Sequence, residues 1–197
     1  MGDDPLYVDD PTFGRLHFDY SEWVGHVELP SFQRLAEPMH EGPFELRIDI
    51  EEHDELRPSA KALEFLANEL HYESRYGEIV PLAVLQDLTG EGPNSRSAWF
   101  GALARREVGC LKHITPEQPD DLYPYLTFGC LHCCRDWRGG LILNFQFSSA
   151  WESEHGGPSV LVCDGEIVGL DYGEQPRRFD EPPTPKLTVN PFTGEPL

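Results

Sequence analysis

The sequence predicts an α+β fold: a mainly antiparallel sheet packed against two or three helices, with an extended Pro-rich tail. Three observations carry that prediction. Apolar and polar residues alternate with period two toward both ends of the chain, an apolar stripe at spacings of three and four lies between them, and Asp164-Gly165 marks a tight hairpin. One domain over residues 1–173 and a tail over 174–197 follow.

The first strands are read at Leu16, Phe18 and Tyr20 and at Trp23, Gly25, Val27 and Leu29, each series interleaved with polar residues. With Ser21-Glu22 as a two-residue loop, Arg15 would face Glu28, Leu16 would face Val27, Phe18 would face Gly25, and His17 would lie opposite His26. Phe44, Leu46, Ile48 and Ile50 then alternate with Glu45, Arg47 and Asp49 in the clearest strand of this half. Pro58 suits a helix start, and Ala62, Leu63, Leu66, Ala67 and Leu70 form the stripe of an amphipathic helix. A second apolar series, Ile79, Leu82, Ala83, Leu85 and Leu88, ends near Gly90, with Pro81 starting or kinking that helix. Short helices are expected over 97–105 and from Thr115-Pro116-Glu117-Gln118. Strands follow over 122–134, 141–148, 159–163 and 166–172, joined by turns that include Gly139-Gly140 and Asp164-Gly165. Beyond Glu174 six prolines fall in 24 residues with no helical period.

Charge narrows the function. Acidic residues number 35 against 15 basic, a net of −20, and only three of the cations are lysines. Such a surface opposes binding to nucleic acid or an anionic membrane, both of which demand clustered cations. Complementary fields instead favour a basic protein partner. The bias is uneven, with −13 over residues 1–73 and −7 over the rest. Within the first stretch Asp49, Glu51, Glu52, Asp54 and Glu55 form the densest acidic run, the candidate docking surface, and it lacks the glycine and ligand spacing of a calcium loop. No apolar run reaches the roughly 18 residues of a membrane span. Met1-Gly2-Asp3-Asp4-Pro5 has no secretory character, and five cysteines do not make an even framework, so a cytoplasmic chain with reduced thiols is expected.

Two constellations bear on chemistry. Cys130, His132, Cys133 and Cys134 suggest half a zinc site, with Cys110, His113 and Cys163 as further ligands. In a continuous strand, however, alternate residues stand roughly 6.5 Å apart, whereas zinc-bound sulfurs converge to about 4 Å. Structural thiols are therefore the first expectation. The second constellation is the segment Trp151-Glu152-Ser153-Glu154-His155-Gly156-Gly157 between two strands, whose Glu152, Glu154 and His155 could do acid-base work. It has no partner nucleophile: the chain lacks a Gly-x-Ser-x-Gly elbow and a phosphate-binding glycine loop. Carboxylate and imidazole bonds to a tight backbone crossover would explain the same residues. No cofactor is expected.

Read with Asp10-Pro11-Thr12-Phe13-Gly14, the strand at Trp23-Val24-Gly25 and the helix after residue 58, this segment resembles an uncharacterised bacterial family, a domain of unknown function with a Trp-Asp-x-Glu-His-Gly loop. Trp151, Glu154, His155 and Gly156 match that loop, and Glu152 stands in place of its Asp. The likeness spans roughly residues 10–172. A glycine common further on in the family is replaced near Gly157-Pro158. Related families include immunity proteins of toxin systems, so the resemblance implies a small acidic binder, and it brings no catalytic residues to carry over. Taken together, the expected function is a non-enzymatic acidic binding domain, with a metal-assisted hydrolase on Glu152, Glu154 and His155 as the alternative.

Overall fold

The computed structural model describes residues 6–36, 42–50, 57–113, 115–151, 156–173 and 177–182. One eight-stranded sheet runs β1 (Tyr7–Asp10), β2 (Gly14–Asp19), β3 (Glu22–Val27), β4 (Phe44–Asp49), β5 (Leu126–Arg135), β6 (Leu141–Ser149), β7 (Pro158–Cys163) and β8 (Glu166–Tyr172), with spatial order equal to chain order. Every neighbouring pair is antiparallel except β4 and β5, which pair in parallel. A parallel pair needs a long crossover. This one holds α1 (Ala60–Glu69) and α2 (Glu73–Thr89). The α+β architecture is as predicted, and no described helix is long and apolar enough to cross a membrane.

Local chemistry sets the helix ends. The Ser59 hydroxyl accepts from the Ala62 N–H at 3.3 Å and caps α1. Gly90 ends α2 in the left-handed region at φ 81°. The helix begins at Glu73, ahead of the apolar series read from the sequence, so Pro81 lies inside it. Residues 97–105 form turns, not a helix. Near Thr115 the helical piece is a 3-10 segment, Pro119–Tyr125, with Gln118 as its cap. Two further segments lack a signal in the sequence: β1, a four-residue edge strand, and the 3-10 turn Pro30–Leu35.

The hairpin of β2 and β3 turns one residue earlier than predicted. Asp19 pairs with Glu22, so the loop is Tyr20-Ser21, and Tyr20 takes φ 51° where a glycine or asparagine is usual. Each partner moves by two residues, which preserves the faces. His17 is opposite Val24, His26 is opposite Glu45 of β4, and the expected histidine pair does not form. Leu16 packs over Gly25, where a Cβ would stand 2.2 Å from Leu16 Cδ2.

The inner face of the sheet carries Leu16, Trp23, Leu46, Ile48, Leu131, Phe145 and Val160, all fully buried and closed by Leu66, Val80, Val84 and Leu88 of the helices. Phe32 stacks on Phe145 at 4.8 Å, and Phe44 meets Phe128 edge-on at 4.8 Å. Such pairs add about 1 kcal/mol each beyond area burial. At the far edge, Asp164-Gly165 turns with both φ positive, 53° and 76°, as the dipeptide predicts. Of the Pro-rich stretch only 177–182 is described, and it straps the outer edge of β8. Phe179 N–H donates to Val168 O at 2.9 Å, and Arg178 lies opposite Gly169. A Cβ on Gly169 would stand 2.4 Å from Arg177 O, so the strap's approach requires glycine there.

Candidate functional site

A single extra residue decides which way the cysteine-histidine strand faces. Phe128 pairs with Phe147 and Cys130 with Gln146, leaving Gly129 as a bulge. Without it, the alternation from Phe128 would carry Cys130, His132 and Cys134 into the core. With it, Leu131 and Cys133 point inward, and Cys130, His132 and Cys134 share the outer face beside Gln146, Asn144 and Ile142.

The four residues weighed as half a zinc site are therefore split between the two faces. Cys133 is on the opposite face from His132, and the carboxylates of two other strands, not sulfur, close on the imidazole. His132 Nε2 lies 2.7 Å from Asp49 Oδ1 and 3.6 Å from Glu22 Oε1. A carboxylate only accepts, so the shorter contact places the proton on Nε2 and leaves Nδ1 as an acceptor 3.5 Å from the Gln146 amide nitrogen. Burial pushes the Cys130 thiol up to about 11 and those of Cys133 and Cys134 to about 12, with the nearby Asp49 charge adding to the last two. At neutral pH these are thiols and not nucleophilic thiolates. All five cysteines are free.

Glu22, Asp49 and His132 can each place one ligand atom within 4.8 Å of the other two, an oxygen-rich set able to take a divalent cation. Glu22 is also held by Arg47, whose Nη1 lies 3.3 Å from Oε2 while its Nε donates to Glu45 at 2.7 Å. That guanidinium brings positive charge to the edge of the set. A second grouping of Glu69, Cys163 and Asp164 has its carboxylate already committed to structure, as Glu69 accepts from Asp164 N–H at 2.9 Å and from the Tyr76 hydroxyl.

Asp49 and His132 stand in the wall of an outer-face cleft of about 450 Å³. The β5–β6 turn forms one rim, closed by Asp136, which accepts from Gly140 N–H at 2.8 Å and pairs with Arg178 at 3.3 Å. Exposed Trp137 stands on this rim with the Arg138 guanidinium 4.5 Å over its ring. The strap supplies Arg177, Arg178 and Glu181. Between them lies Asn144, only 1% exposed, whose Oδ1 has no hydrogen-bond partner. A buried amide oxygen without a donor is costly, and among the described residues it is the one fully buried side-chain nitrogen or oxygen of this cleft without a hydrogen-bond partner.

Of the predicted docking run only Asp49 is described; Glu51, Glu52, Asp54 and Glu55 lie outside the described residues, as do Glu152, Glu154 and His155. Trp151 is described and packs in the core, as a structural anchor would. Sequence reasoning missed Glu22 and Asn144. Glu22 had been read as a turn residue, and Asn144 looks like any polar position of an alternating strand. The only available signal was an asparagine inside the otherwise apolar run Leu141-Ile142-Leu143-Asn144-Phe145. Compared with family models, with curated proteins and with solved structures, the chain gives no match.

Proposed function

We propose that the chain is a non-enzymatic acidic binding domain that docks a basic protein through its first four strands and the outer-face cleft beside them. The observation that carries this reading is the position of Asp49. The first carboxylate of the acidic run borders the cleft, and the outward positions of β3 and β4 hold Glu22, Glu45 and Asp49 against a single cation, Arg47. A guanidinium or ammonium group entering there meets the carboxylate of Asp49, and the −20 net charge steers it in. The resemblance to immunity-type proteins agrees with this role.

The test is kinetic. A protein captured with this chain as bait should associate several-fold more slowly in high salt than in low, and Asp49→Asn with Glu22→Gln should slow it similarly at low salt. A rate indifferent to both removes charge-driven docking.

One observation favours the alternative of metal-assisted hydrolysis, the convergence of Glu22, Asp49 and His132. Calorimetric titration with Mn²⁺ separates the two readings. One equivalent bound by the native chain and none by His132→Gln would support a cation centre. The Arg47 charge on Glu22, which competes with a metal ion for that carboxylate, supports docking as the first reading.

A further inference from the structure

We propose that a second cleft, between α2 and β8, binds a small hydrophobic primary amine whose ammonium group pairs with Asp87. The site is independent of the outer-face cleft. It has a volume of about 270 Å³, and Ile79, Leu82, Ala83, Ile167, Leu170 and Phe179 make its apolar wall. Leu82 is 39% exposed, a large apolar side chain left partly open to water beside the half-buried Ile79 and Ala83. A cavity of about 150 Å³ lined by similar side chains holds benzene, so this one has room for a ring and a two-carbon arm.

The polar end of the cleft selects the charge. Asp87 is 1% exposed and lines this cleft. Its Oδ2 accepts from the Ser97 hydroxyl at 2.8 Å, and its Oδ1 has no partner. The charged and polar groups around it do not neutralise it. Asp171 repels it, the buried Tyr172 phenol near it is neutral, held in its protonated form by burial and by the Asp87 charge, and Arg105 attracts it from a distance while spending its own donors on Glu107 and the Phe100 carbonyl. The Asn94 amide is bonded to Leu170 O. Burial accordingly holds the Asp87 carboxyl up at about 7. A buried carboxyl with one free oxygen and no counter-cation keeps its proton until about pH 7, and above that its charge is balanced best by a cationic donor, while the apolar wall beside it favours a hydrophobic body. An arylalkyl or alkyl ammonium satisfies both. An anion would repel Asp87, and a neutral alcohol would leave the charge unbalanced.

Calorimetric titration of the full chain with 2-phenylethylamine, 2-phenylethanol and phenylacetate tests this. At pH 8 the amine should saturate one site, the alcohol should bind about tenfold more weakly, and phenylacetate should not bind. The amine's affinity should rise from pH 6 to pH 8 as Asp87 ionises. Asp87→Asn should weaken amine binding about tenfold and remove that pH dependence. Ala83→Phe, which fills the cleft without touching the carboxylate, should abolish it. Phenylacetate binding as tightly as the amine, amine binding undiminished in Asp87→Asn or in Ala83→Phe, or no saturable amine binding would each overturn the proposal.

Discussion

Glu69 and Asp87 are buried to the same degree in the same helical layer, 2% and 1% exposed, yet their surroundings differ completely. Glu69 ends α1 and reaches the β7–β8 turn. One oxygen accepts from Asp164 N–H at 2.9 Å, the other from the Tyr76 hydroxyl, and that hydroxyl accepts in turn from Gly165 N–H at 2.9 Å. Asp87 has one side-chain donor, Ser97, and a second oxygen without a hydrogen-bond partner. What separates a structural carboxylate from a reactive one here is the number of donors facing it and not the depth at which it lies.

Removing the better-bonded group should cost most. Glu69→Ala is expected to lower stability by about 3 kcal/mol, since it leaves the Asp164 N–H without a partner and the Tyr76 hydroxyl without its acceptor. Urea unfolding monitored by tryptophan fluorescence measures it, and a loss below about 1 kcal/mol would mean that the Glu69 clamp contributes no more than an exposed contact.

The opposite sign is expected at the other site. The Asp87 carboxyl titrates near 7 when folded and near 3.8 when free, so the folded chain holds its proton more tightly. Its contribution to stability is full below about pH 4, declines as pH rises toward 7, and is flat above. Linkage allows up to about 4 kcal/mol for such a shift. Asp87→Asn should raise stability at pH 8 by about 2 kcal/mol, less than that limit because the new amide N–H groups lack acceptors, and should remove the decline between pH 4 and 7. Stability curves for the two proteins that stay parallel across this range would show that Asp87 is not the titrating group.

The smallest effect tests the one donor Asp87 has. Ser97→Ala should cost about 1.5 kcal/mol at pH 8 and much less at pH 4, where the carboxyl is protonated. An equal loss at both pH values would assign the role of Ser97 to its bond with Trp99 N–H at 3.1 Å instead.

Much of the scaffold was legible. β4 and the four C-terminal strands follow alternation and turn chemistry that act over a few residues, and Asp164-Gly165 needs nothing beyond its own backbone preferences. Errors arose where distant packing overrides a local rule. Tyr20 takes a left-handed conformation in a hairpin whose faces match in either register, so no local residue preference selected it, and α2 extends back to Glu73, beyond the apolar series. The site was less legible. His132 could be singled out from its cysteine neighbours, but its partners stand on β3 and β4, and no spacing rule reaches across to them. Glu69 and Asp87 look like ordinary polar positions of amphipathic helices, since only the folded layer reveals that each has been drawn inside.

The parallel seam between β4 and β5 has a consequence for the order in which the molecule assembles. The pairs β1–β2, β2–β3, β5–β6 and β7–β8 are joined by short turns, and such pairings close early because little chain entropy is lost. Asp49 and His132 meet across a separation of 83 residues, after the whole helical crossover has found its place. The outer-face cleft thus includes a contact that forms only once the crossover is in place, and local opening along that seam would part Asp49 from His132 while leaving β5–β8 paired.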